Sequence, residues 1–73
     1  MSRAAVIGEA ARTAGFALAG ALVLAADNPG EALAAWSSLP DDVAVLVLTP
    51  NAAGWLGAAP RARRDLLLVV MPP

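Results

Sequence analysis

Val43-Ala44-Val45-Leu46-Val47-Leu48, held between Asp41-Asp42 and Thr49-Pro50, is an unbroken six-residue apolar run. It is too short for a buried helix and has none of the polar alternation of a strand with one wet face. It therefore predicts a central strand covered on both sides. Such a strand needs helices above and below it, which means parallel pairing through strand–helix–strand crossovers.

The sequence on either side supplies those pieces. Upstream, Asn28-Pro29-Gly30-Glu31 reads as a helix start, with Asn28 capping first-turn N–H groups, Pro29 at the first helical position and Glu31 reaching back in capping-box geometry. Ala32, Leu33, Ala35, Trp36 and Leu39 then follow the three-four spacing of a helix laid on a sheet, and Pro40 stops it. Ala21 to Ala25 predicts a strand after a glycine stop at Gly20. Thr13 precedes Ala14 to Ala19, a short first helix closed by Gly20, and Ala4-Ala5-Val6-Ile7 with Gly8 predicts the first strand.

Downstream, Thr49-Pro50-Asn51 predicts a turn in which Asn51 can cap. Gly54 and Gly57 interrupt Ala52 to Ala59, each costing about 1 kcal/mol against alanine in a helix, so a third helix is weakly encoded. Arg61 to Asp65 is the most polar stretch, and Leu66 to Met71 predicts a fourth buried strand closed by Pro72-Pro73. The order βαβαβαβ gives an α/β protein with a small open parallel sheet of about four strands and helices on both faces, the flavodoxin-like arrangement. It is read as a single domain over 1–73, lacking a closing helix after the last strand.

Composition narrows the chemistry. The apolar fraction is 59% but aromatics make up only 4%, so the core is thin and closely spaced. A chain of this size buries only about 60% of its unfolded surface, and a partner would add to its stability. A net charge of -1 leaves no electrostatic footprint for a phosphate backbone, which argues against nucleic acid. With no cysteine and no histidine, there is no disulfide, no thiolate metal site and no Ser/His or Cys/His nucleophile pair.

Individual motifs point the same way. Gly8-Glu9-Ala10-Ala11-Arg12 follows the first strand but lacks both the G-x-G-x-x-G fingerprint and a Gly-Lys-Ser/Thr ending. A phosphoacceptor domain would carry an aspartate at the end of the third strand, where Leu48-Thr49-Pro50 stands instead; Glu9 is the sole carboxylate near the first strand, and lysine is absent. Asp41 and Asp42 are adjacent, which suits a solvated loop better than an acid/base pair. Trp36 falls on the apolar face of the second helix and reads as core. Trp55, in a glycine-rich segment with little around it, and the basic cluster Arg61, Arg63 and Arg64 are the candidates for partner contact.

Taken together, Ala5-Val6-Ile7-Gly8, Thr13-x-Gly15-Phe16-x-Leu18-Ala19-Gly20, Asn28-Pro29-Gly30-Glu31-Ala32-Leu33 and Asp41-Asp42-Val43 through Thr49 resemble the N-terminal domain of the F subunit of V/A-type rotary ATPases. The likeness covers residues 3 to 49 and the final strand, and the segment from Gly15-Phe16 to Gly20 is its most specific part. Residues 51 to 60 are alanine- and glycine-rich where that family has a charged helix, and the family continues past the last strand into a helical extension. The resemblance implies a non-catalytic component of the central stalk, seated beside the D subunit of the same stalk, with no cofactor and no membrane span. Such a component takes part in coupling ATP hydrolysis or synthesis to proton or sodium transport, on the cytoplasmic side of a membrane-bound complex.

Two other functions fit the same residues. One is a stand-alone protein-interaction module of this fold. The other is a small exported protein in which Arg3 and Arg12 form a basic leader, Ala14 to Leu24 its apolar part and Val23-Leu24-Ala25 its cleavage site. Glu9, Gly15 and Gly20 run against that last pattern. The uncharged run Thr13 to Ala26 has fourteen residues, short of the 20 or so that a membrane-spanning helix needs.

Overall fold

The computed structural model describes residues 3–73; Met1 and Ser2 lie outside the described residues. Four strands, β1 (Arg3–Gly8), β2 (Leu22–Ala25), β3 (Val43–Leu48) and β4 (Leu67–Val70), form one sheet in the order β2-β1-β3-β4. All three pairings are parallel. The fold is therefore the small open α/β sheet predicted, and its strand order is that of the flavodoxin-like arrangement. The run Val43–Leu48 occupies a central position, with β1 on one side and β4 on the other.

Three helices make the crossovers: α1 (Ala10–Thr13), α2 (Pro29–Ser37) and α3 (Pro50–Leu56). From β1 the chain moves outward to β2, whereas α2 and α3 carry it in the opposite direction. Right-handed crossovers then place α1 on one face and the other two on the opposite face, and α2 and α3 do pack against each other. Strand periodicity and register divide the side chains accordingly. Ala5, Ile7, Leu46 and Leu48 point to the α2–α3 face and join Ala32, Ala35, Leu39, Ala52 and Leu56 in one core. Small alanines in the helices let them sit close to the sheet.

Several local predictions need correction. The first helix begins at Ala10, and Thr13 is a fully buried residue inside it, its hydroxyl donating to the Glu9 carbonyl at 3.1 Å. Ala14–Ala19 continues as a six-residue 3-10 helix with none of its side chains buried, so nothing selects the wider α geometry there. Gly20, at φ 85°, ends it as predicted, with its N–H on the Ala17 carbonyl and that of Ala21 on Phe16. Gly15 has open space around its Cα.

The weakly encoded third helix forms despite Gly54. Its cap is Thr49, whose Oγ1 accepts from the Ala52 N–H at 3.2 Å, with Pro50 at the first helical position. Burial of Ala52 and Leu56 outweighs the glycine, and Gly57, at φ 58°, closes the helix. Helix α2 starts as predicted, Asn28 Oδ1 accepting from the Glu31 N–H at 2.9 Å; the Glu31 carboxylate reaches one residue further back, to the Asp27 N–H at 2.8 Å. Strand β4 is shorter than predicted and mostly exposed rather than buried, because it is an edge strand that the helices barely reach: on the α2–α3 side Leu68 is half-buried, but Val70, beside Leu48, is 48% exposed.

Residues 3–25 supply β1 and β2, and β1 pairs with both of its neighbours. Excision after Ala25 would remove half of the sheet, including one of its two inner strands. Among the described residues no helix is long and apolar enough to cross a membrane.

Candidate functional site

In open parallel sheets the usual ligand position is the crevice at the carboxyl ends of the strands where the crossovers change direction. Here that crevice lies between Gly8-Glu9 after β1 and Thr49-Pro50 after β3. Glu9 is its only carboxylate from either strand end, and protein donors engage both of its oxygens. Thr49 Oγ1 donates to Oε1 at 2.5 Å and Asn51 Nδ2 donates to Oε2 at 3.1 Å. The Thr49 hydrogen bond is the main cause that holds the Glu9 carboxyl below its ordinary value, followed by a hydrogen bond from the backbone and, more weakly, by Asn51 and the nearby Arg12 guanidinium.

Gly8 belongs to the same construction. A methyl group on its Cα would stand 2.6 Å from Thr49 Oγ1, so this glycine allows β1 and the β3 exit to approach closely. Thr49 is itself fully buried and its hydroxyl is used twice, as donor to Glu9 and as acceptor for α3. The crevice is thus a clasp tying the start of α3 to the end of β1. Arg12 extends it, its guanidinium donating to the Pro72 carbonyl at 3.0 Å.

The opposite feature of the molecule is the sheet face that α2 and α3 do not cover. By register, Val6, Val23, Val45, Val47, Leu67 and Val69 point to it. Helix α1 lies over β1 and β2 on this side, and Val6 is fully buried. Over β3 and β4 the cover stops. Val45 and Val47 are half-buried, while Leu67 and Val69 are 62% and 43% exposed. Leu18, on the 3-10 segment of the same crossover, is 94% exposed. The exposed parts of these three side chains amount to about two whole aliphatic groups, worth about 3–6 kcal/mol when covered.

Trp55 does not stand free. It is half-buried and packs against the α2–α3 core, as Trp36 does, because α3 forms and turns that face inward. Arg61 lies in a 3-10 turn (Ala59–Ala62) and is exposed, as is Arg64. Arg63 is half-buried, with Nε 3.6 Å from Asp65 Oδ1. The basic cluster therefore sits at the entry to β4, beside the uncovered strand and away from the crevice. Of the motif residues, Gly8 closes the clasp, Gly20 ends the first crossover helix, Asn28, Pro29 and Glu31 start α2, and Phe16 is half-buried.

Two features escaped sequence reasoning. Arg3 and Asp42 form a bidentate pair at 2.8 and 2.9 Å, whose mutual hydrogen bond raises the arginine and lowers the carboxylate pKa. The Glu9–Thr49–Asn51 clasp joins positions 40 and 42 residues apart. Neither has a local signature; the hydrophilic Asp41-Asp42 step and the Thr-Pro dipeptide mark the places without naming the partners. Among the described residues no group of three or more His, Cys, Asp or Glu side chains could hold a metal ion. No protein-family model matches the chain, and no curated protein matches it at a significant level.

Proposed function

We propose that this chain is a non-catalytic docking subunit, and that its assembly is the central stalk of a V/A-type rotary ATPase. The observation that carries the docking role is the apolar sheet face over β3 and β4, where Leu67 is mostly exposed and Val69 partly so. Soluble domains of this architecture cover both faces of a parallel sheet, and a partner is the simplest cover for this one. The clasp supports the same reading, since its one carboxylate is already engaged by Thr49 and Asn51. The choice of assembly rests on the resemblance of residues 3 to 49 to the F subunit of those ATPases, and it puts their D subunit against the chain on the cytoplasmic side of the membrane.

Tagged protein captured from gently solubilised membranes of the native host tests this. Recovery of stalk and catalytic-ring components supports the proposal. Their absence from a preparation in which the ATPase is intact overturns the choice of assembly and leaves the stand-alone interaction module, which the same exposed face favours.

A further inference from the structure

At the edge of the sheet opposite β4, strand β2 and helix α2 border an open groove of about 510 Å3. Val23, Leu24 and Ala25 form one wall, and Glu31, Ala34, Ala35 and Ser38 form the other. Three properties of this groove bear on what it could hold.

The first is the backbone. β2 pairs only with β1, and Ala26 donates its N–H to the Gly8 carbonyl at 2.8 Å. Since successive residues turn their backbone groups to opposite sides, Leu22 and Leu24 also face β1, while Val23 and Ala25 face outward. Among the described residues no partner is found for their N–H and C=O groups. The second is shape, because the trough is lined by the small side chains of Ala25, Ala34 and Ala35. The third is charge. Asp27 and Glu31 stand at the carboxyl end of β2, tied together by the Asp27 N–H to Glu31 Oε1 bond at 2.8 Å. Neither carboxylate pairs with a cation among the described residues, although Asp27 Oδ1 accepts from the Ala10 N–H at 3.3 Å.

We propose that β2 accepts a fifth strand from a partner: an extended segment running antiparallel to β2, with apolar side chains at alternate positions and an arginine or lysine at its amino end. Antiparallel pairing sets the start of the added strand beside Asp27 and Glu31, where the cation meets both carboxylates. Main-chain bonds to Val23 and Ala25 supply affinity, and the trough and the acidic end supply selection. This surface is separate from the β3–β4 face and does not depend on the rotary-ATPase proposal.

The probe is acetyl-Arg-Val-Thr-Val-Thr-Val-amide, titrated into the labelled protein and followed by amide chemical shifts and hydrogen exchange, beside the same peptide headed by glutamate. The proposal requires shifts and new exchange protection at Val23 and Ala25, and binding of the arginine peptide about fivefold tighter at low salt, the upper range for an exposed ion pair. Asp27→Asn combined with Glu31→Gln should erase that preference. Val23→Pro, which removes an outward N–H without touching a β1 bond, should abolish binding, as should Ala34→Arg, which fills the groove from an exposed helical position. No shifts at millimolar peptide, equal binding of the two peptides, or shifts centred on β4 would each overturn the proposal. A second copy is the rival occupant, since Arg63-Arg64 ahead of Leu67 carries the same pattern in the same direction. Protection of Val23 and Ala25 that rises with protein concentration in the absence of peptide would assign the groove to that copy and likewise overturn a foreign segment.

Discussion

Thr49→Val tests whether the clasp holds the fold together, because it removes one oxygen and keeps the shape of a fully buried side chain. That oxygen caps α3 through the Ala52 N–H at 3.2 Å and donates to Glu9 at 2.5 Å. Loss of an N-cap costs about 1 kcal/mol. A hydrogen bond to a charged group contributes about 1.5–3 kcal/mol, and the low end applies because Glu9 is only half-buried. The expected loss is then about 2–3 kcal/mol, out of a total of about 4–11 kcal/mol for a chain of this size. Trp36 and Trp55, both half-buried against the core, report urea unfolding by fluorescence. Thr49→Ser keeps both bonds and loses one methyl group, so it should lose only about 1 kcal/mol. The reasoning fails if Thr49→Val unfolds within about 0.5 kcal/mol of the wild type, which is the range of a neutral surface change, or if the serine variant is the less stable of the two.

The remaining predictions concern acid, the core and the turns. The folded-state pKa of Glu9 lies below its ordinary value of 4.5. Its contribution to stability is therefore complete above that pH and is lost as pH falls through the lower folded value; acid titration of Thr49→Val should show a smaller loss over the same range. Leu46→Ala, at a wholly buried central position, should cost about 2–5 kcal/mol in urea unfolding. Gly20→Ala forces alanine into a left-handed conformation at φ 85° and should cost about 1–2 kcal/mol, whereas Gly15→Ala, with open space around it, should be neutral or stabilising by thermal melting. Asn28→Ala should lose about 1 kcal/mol with the cap on Glu31.

The sheet was legible because each strand is an apolar run closed by glycine, proline or acid, and Val43–Leu48 needed no tertiary information to be read as a centre. The start of α2 was equally plain, since Asn28-Pro29 carries its own cap. The first crossover was misplaced for a physical reason: Glu9, which precedes its first turn, makes no side-chain cap bond, and Thr13 mimics a cap while being buried inside. The third helix was hidden by its glycines, whose local cost is visible in sequence while the burial of Ala52 and Leu56 that offsets it is not. The clasp lay further out of reach. Glu9 could be singled out as a lone carboxylate after β1, but that Thr49 and Asn51 converge on it depends on the β1–β3 register. The exposure of β4 likewise depends on strand order, because Leu66–Met71 has the composition of an inner strand and the position of an outer one.

Docking through the β3–β4 face is tested most directly by Leu67→Asp combined with Val69→Asp. Both side chains are substantially exposed, so the double variant should melt within a few degrees of the wild type. Captured from native membranes in parallel with the wild type, it should bring down at least tenfold less of the stalk components proposed as its partners, at equal bait. Recovery of those components at wild-type levels by the folded double variant would contradict the account, since a partner that tolerates two carboxylates on that face does not cover it.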